Sequence, residues 1–238
     1  IEPHCVVVVA TVKALKLHGG ADKTTLTEEN LQALKKGLPN LLKHVSNVKE
    51  VYKKPVVVAM NRFFTDTPAE IEAVMSACRE AGATAVFTDV FLKGGEGGKE
   101  LAEAVISACE EKSELHYAYN LNDGVKAKIE SIVKNVYGGD GAEYSELAER
   151  KISSLENKGV SKGLPVIIAK TQYSLSDNPE LLAAPKGFKI FVRDIEYRGG
   201  AGFIVAIAGS VMLMPGLGKV PCAEKIDIDD NGKITGLS

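Results

Sequence analysis

"PVVVAMNRFFTDTPAEI", residues 55–71, contains one whole unit of the fold. Its first seven residues form a β-branched run without polar alternation, the pattern of a strand buried on both faces as parallel sheets require. The chain then leaves through Asn61, Arg62 and Phe63. Thr67 and Pro68 supply a helix cap and a first-turn residue, with Glu70 following in the first turn, so a helix is predicted over 68–81.

Working outward, three more segments have the same apolar character: "CVVVVATV" (5–12), "ATAVFTDV" (83–90) and "LPVIIAK" (164–170). Helix-like stretches at 28–51, 98–112, 122–137 and 142–158 separate or follow them. After residue 185 the rhythm changes. "FKIFVRDIEY" (188–197) alternates apolar and polar residues, "AGFIVAIAG" follows a Gly-rich turn, and "KIDIDDNGKITGL" (225–237) carries an Asn-Gly hairpin signal. The expected architecture is α/β, with parallel-sheet segments and flanking helices, followed by a smaller α+β C-terminal part with antiparallel strands. The Gly-rich "YGGDGAEYS" (137–145) is the candidate boundary, and "MLMPGLGKVP" (212–221) reads as a Gly/Pro-shaped loop.

The chain has 238 residues, 45% hydrophobic and 25% charged, enough for a large core in one or two domains. A formal charge of -2 leaves no basic footprint for nucleic acid. Cys5, Cys78, Cys109 and Cys222 form no CxxC pair and the histidines are isolated, so reduced thiols in an intracellular, cytoplasmic protein without its own metal site are expected. The longest apolar stretch is too short and too Gly-rich for a membrane span, which needs about 20 residues. An apolar strand beginning almost at Ile1, with no Met before it, raises the expectation of sequence upstream.

In parallel sheets ligands gather beyond the C-terminal strand ends, so each exit is a candidate site. After the second strand come Asn61, Arg62 and Phe63; after the third, Phe91 and Lys93. Two rings on adjacent strand ends suit a clamp around a flat heterocycle, while burial in the core is the competing reading. Gly94, Gly95, Glu96, Gly97 and Gly98 form a loop whose amides suit an approach to an anion, or a loop that is glycine for steric reasons. It is no P-loop, because Lys93 stands where the first Gly belongs and Glu100 where Ser or Thr would hold magnesium. The fourth strand exits into "AKTQYSLSDNP" (169–179). Lys170 and Gln172 suit a carboxylate or amide and Tyr173 suits stacking or proton donation, with loop-to-loop hydrogen bonds as the alternative. Ser176, Asp177 or Asn178 reads as the cap of a helix with Pro179 and Glu180 in its first turn.

Several stretches together resemble the C-terminal part of formate–tetrahydrofolate ligases: "VVVVATVKALKLHGG", "PVVVAMNRFFTDTPAEI", "KGGEGGKELAE", "VYGGDGAEYS", "LPVIIAKTQYSLSDNP", "PKGFKIFVRDI", "GAGFIVAIAGSVMLMPGL" and "IDIDDNGKITGL". That resemblance implies ATP-dependent joining of formate to tetrahydrofolate through formyl phosphate, with magnesium and a monovalent cation. It further implies a homo-oligomer, and an N-terminal portion, absent here, that carries the P-loop, its phosphate-binding Lys and most formyl-phosphate contacts. This chain alone is then expected to be inactive and to hold no cofactor. The resemblance divides the chain into the end of the nucleotide-binding domain (1–54), an α/β domain with the aromatic folate clamp (55–140) and a C-terminal α+β domain (141–238). Phe63 matches the aromatic of the family's "NRF" motif. Phe91 falls where many members have Trp, and the pair resembles a pterin clamp. The Gly94–Gly98 loop carries over as ligand-adjacent, and Asn61, Arg62, Lys170, Gln172 and Tyr173 as cleft wall. The competing class is a non-catalytic folate-binding or self-association module.

Overall fold

The computed structural model describes residues 2–211, 220–221, 224–230 and 232–236. Cys222, residues 212–219 of the loop predicted over 212–221, and Asn231 of the hairpin signal lie outside the described residues.

The first half is a β-α-β-α-β unit. Strands β1 (Val6–Ala10), β2 (Val56–Asn61) and β3 (Thr84–Thr88) form a parallel sheet in the order β1-β2-β3. Val56–Met60 are all buried, as the unbroken apolar run requires of a central strand. Helices α1 (Val12–His18), α2 (Leu31–Ser46) and α3 (Pro68–Glu80) cover this sheet, and α2 runs on as a π-helical turn over Asn47–Val51. The α1 helix lies where the sequence suggested only a strand exit. Thr11 caps it by accepting from Ala14 N. The α1 and α2 backbones touch: a Cβ added at Gly37 would lie 1.8 Å from Leu15 O, and one at Gly19 would lie 1.7 Å from Ala33 O.

α3 begins in a full capping box. Thr67 Oγ1 accepts from Glu70 N, and Glu70 Oε2 accepts from Thr67 N. Short α4 (Val90–Lys93), a 3₁₀ turn over Gly94–Gly98 and α5 (Lys99–Glu110) follow β3. The expected division at 54–55 falls between β1 and β2, which are hydrogen-bonded neighbours in one sheet with one core.

The second half contains α6 (Val125–Ser131) with its π-helical extension to Tyr137, β4 (Gly141–Tyr144), α7 (Glu146–Asn157), β5 (Val166–Ala169), β6 (Lys189–Arg198) and β7 (Phe203–Ala208). Its sheet has the order β4-β6-β7-β5. The outer pairs are parallel and β6–β7 is antiparallel. A small hairpin of β8 (Asp227–Ile228) and β9 (Ile234–Thr235) follows. The expected α/β class with a smaller α+β C-terminal part is therefore the observed one.

The strand expected at 164–170 is β5 of this second sheet. Two local expectations are corrected. The helix predicted over 142–158 begins only at Glu146, because residues 141–144 pair with β6 and Ser145 caps the helix through Ala148 N. No helix follows Asn178. Ser174 Oγ accepts from Ser176 N, Ser176 Oγ from Asn178 N, and Asn178 Oδ1 from Glu180 N, a succession of side-chain turns that competes with helix formation.

Candidate functional site

The C-terminal ends of β2 and β3 are tied together where Arg62 N donates to Thr88 O at 3.3 Å. Just beyond, the turn over residues 63–66 closes on a buried carboxylate: Asp66 Oδ2 accepts from Phe63 N at 2.9 Å, and Asp66 N donates back to Phe63 O at 3.0 Å. Burial raises the Asp66 carboxyl above its usual range, against the Phe63 N–H bond that stabilises the anion. The turn presents Phe63, whose ring has the Lys13 ammonium 4.6 Å from its centroid. After β3, α4 presents Phe91 with 93% of its surface exposed, so the core reading of that ring does not hold.

Between these ring-bearing segments lies a cavity of about 200 Å³ lined by Arg62, Phe87, Asp89, Lys93, Glu96, Gly97 and Glu100. Its floor is set by close backbone approach. Asp89 N donates to Gly97 O at 3.0 Å, and a Cβ at Gly97 would lie 2.3 Å from Asp89 O, which is why this position is glycine. Gly94 has φ 56°, a left-handed conformation that ends α4. Lys93 pairs with Asp89 at 3.4 Å and Lys99 with Glu96 at 2.7 Å. Three carboxylates against Arg62 and Lys93 make the lining acidic rather than anion-seeking.

Of the predicted residues, Arg62, Glu96 and Gly97 line this cavity, and Asn61 ends β2 opposite Thr88. Lys170 and Gln172 line a different one, of about 320 Å³, together with His18, Asn40, His44 and Tyr137. There Lys170 Nζ donates to the carbonyls of Thr171 (3.1 Å), Ser174 and Ser176 (3.1 Å), which occupies its three protons with its own loop. Burial pushes the Lys170 ammonium down to about 8, with Asp177 opposing. Tyr173 projects outward and its backbone N–H donates to Thr171 Oγ1. Lys13, Asp66, Asp89 and Glu100 were missed by sequence reasoning. Asp89 falls at the end of the predicted third strand (83–90) and Glu100 in the stretch that follows it, while Lys13 follows the first strand with nothing local to signal its position over a ring fifty residues away.

The family model for formate–tetrahydrofolate ligase matches residues 1–238. A relative named formate–tetrahydrofolate ligase, from Symbiobacterium thermophilum, is 48% identical over 237 residues, covering 100% of this chain and 42% of the relative. The chain thus spans less than half the length of that relative.

Proposed function

The chain belongs to the formate–tetrahydrofolate ligase family, and from that premise we propose that it is the C-terminal portion of an ATP-dependent ligase that converts formate and tetrahydrofolate to 10-formyltetrahydrofolate. In this reading a formate oxygen attacks the γ-phosphorus of ATP, ADP leaves, and N10 of the folate attacks the formyl carbon with loss of phosphate. This chain supplies the folate side of the cleft, and the rest of the longer protein supplies the phosphate side.

The supporting observation is the exposed Phe91, with Phe63 on the neighbouring exit, beside a small acidic cavity. A pterin has flat faces for the rings and an edge rich in N–H donors, which Asp89, Glu96 and Glu100 accept. The cavity is below the roughly 300–1,000 Å³ of sites for drug-sized ligands, so it suits the heterocycle and leaves the tail of the folate outside. The work of these residues is positioning, which holds N10 against the activated formyl group. Magnesium and a monovalent cation belong to the phosphate side. Among the described residues no group of three or more His, Cys, Asp or Glu side chains is placed to hold a metal ion.

In the full-length enzyme, Phe91→Ala is expected to raise KM for tetrahydrofolate by roughly tenfold or more while leaving KM for ATP near wild type, the effect of losing about 1 to 3 kcal/mol of stacking. Equal effects on both substrates would exclude the clamp. The 238-residue chain alone is expected to show no formate-dependent ATP turnover.

A cytoplasmic homo-oligomer is part of the same proposal; among the described residues no helix is long and apolar enough to cross a membrane. The second reading, a non-catalytic self-association or folate-binding module, draws on β1, an edge strand with Val9 66% exposed. Folate binding by the isolated chain, without turnover once the remaining portion is supplied, would favour it.

A further inference from the structure

Two cysteines far apart in sequence meet in the first half of the chain, away from the cavities described above. Cys5 precedes β1 and Cys109 lies in the last turn of α5, and their sulfurs are 3.4 Å apart, with Cys109 Sγ donating to Cys5 Sγ. A second anchor holds the same two chain segments together. Glu2, three residues before Cys5, accepts from Leu115 N at 2.8 Å and from the buried Lys54 ammonium, which also reaches Ser113. Cys109 is exposed and Cys5 half-buried, while the third described thiol, Cys78, is sealed in the core. The contact is therefore both held in register and open to a small reagent.

We propose that Cys5 and Cys109 are a reversible dithiol–disulfide site that takes low-molecular-weight disulfides of the glutathione class. Exposed Cys109, as thiolate, attacks one sulfur of the oxidised reagent. The reagent's S–S bond breaks, one reagent thiol leaves, and a mixed disulfide remains on Cys109. The Cys5 sulfur, deprotonated by solvent base, then attacks the Cys109 sulfur and expels the second reagent thiol. The protein dithiol loses two electrons and two protons, and the reagent disulfide is reduced to two thiols. The sulfurs need to close by about 1.4 Å to reach the bond length of roughly 2.05 Å, within reach of side-chain rotation. Burial and the neighbouring Cys109 raise the Cys5 thiol above its usual range, which suits it to the second, resolving step rather than to first attack. The bond would staple the start of edge strand β1 to the end of α5.

The test is incubation of the native chain with oxidised glutathione, followed by intact mass, peptide mapping and thermal unfolding. The expected product has lost the mass of two hydrogens, maps to a Cys5–Cys109 cross-link, melts roughly 4 °C or more higher and reverts with a reducing dithiol. Cys5→Ser is expected instead to retain one glutathionyl group on Cys109. Wild-type protein that keeps a stable glutathionyl adduct, dimerises through Cys109, or cross-links another cysteine pair would overturn the proposal. So would a correct cross-link formed no faster in the folded chain than in urea, because the folded geometry would then contribute nothing.

Discussion

Lys16 and Glu70 place opposite charges where almost no water reaches, with side chains 1% and 0% exposed and Nζ–Oε1 at 2.9 Å. Such a pair is costly unless further hydrogen bonds engage both groups. Lys16 also donates to Glu28 O at 2.7 Å, while Glu70 accepts from Asn30 N at 2.9 Å and from Thr67 N. Burial alone would raise the Glu70 carboxyl, but the Asn30 N–H, Lys16 and the Thr67 N–H together hold it below its usual value. Lys16→Met strands a buried carboxylate and is expected to cost about 3 to 5 kcal/mol in urea unfolding. A loss under 1 kcal/mol would show that the carboxylate finds water. Lys170 makes the opposite case in pH. Its folded pKa of about 8 lies below the ordinary 10.5, so between those values the unfolded chain binds more protons and stability rises with pH. That rise is expected to flatten in Lys170→Met, and an unchanged slope would assign it to other lysines.

Helix α2 shows how an element's sequence can oppose its own propensity. Gly37 sits inside it, where Ala is favoured by about 1 kcal/mol on propensity alone. Yet a Cβ there would stand 1.8 Å from Leu15 O on α1. Gly37→Ala is therefore expected to be net destabilising by about 2 kcal/mol, the steric term exceeding the propensity gain; a stabilised variant would mean that α1 moves aside at little cost. Elements with local causes were legible in the sequence. The apolar run of β2, the Thr67-Pro68 start of α3 and the alternation of β6 all appear where residue pattern placed them. β4 was not, because its four residues are a strand only by pairing with β6 nearly fifty positions later. The missing helix after Asn178 has a local origin instead: the side-chain turns of Ser174, Ser176 and Asn178 compete with it, and Lys170 gathers the carbonyls of Thr171, Ser174 and Ser176 around one ammonium. For the candidate site, exit position and aromatic content singled out Arg62, Phe63, Phe91 and the glycine loop, of which Arg62, Glu96 and Gly97 line the cavity. The buried Asp66 that braces Phe63 required the folded turn to be seen.

At the scale of the whole molecule there are two apolar cores, one around β1–β3 and one around α6, α7 and the second sheet. Polar bonds contribute directly to their junction. Asn40 Nδ2 donates to Ala183 O at 2.9 Å, Ala183 N to His18 Nδ1 at 3.3 Å, Lys43 to Asn135 O at 3.0 Å, and Asn47 Nδ2 to Val136 O at 2.8 Å. Ala183 is held at φ 58°, a left-handed conformation that costs an alanine roughly 1–2 kcal/mol, and both of its backbone groups are engaged from the first half. Separate cores joined in this way are expected to melt as two overlapping calorimetric transitions, with a van't Hoff enthalpy below the calorimetric one. The junction also titrates. His18 accepts through Nδ1, and burial holds its pKa below 6.5; His44 beside it is lowered by burial and then by His18, Lys43 and Lys170. Because the unfolded chain takes up these protons first, the contribution of these two histidines is full above pH 6.5 and falls as pH drops below it. Protonated His18 also loses its acceptor for Ala183 N, so the two transitions are expected to draw apart at low pH. His18→Gln, which keeps an acceptor oxygen at every pH, is expected to reduce that separation and leave the part due to His44. A single transition with equal enthalpies at both neutral and acid pH would show instead that the two cores unfold as one.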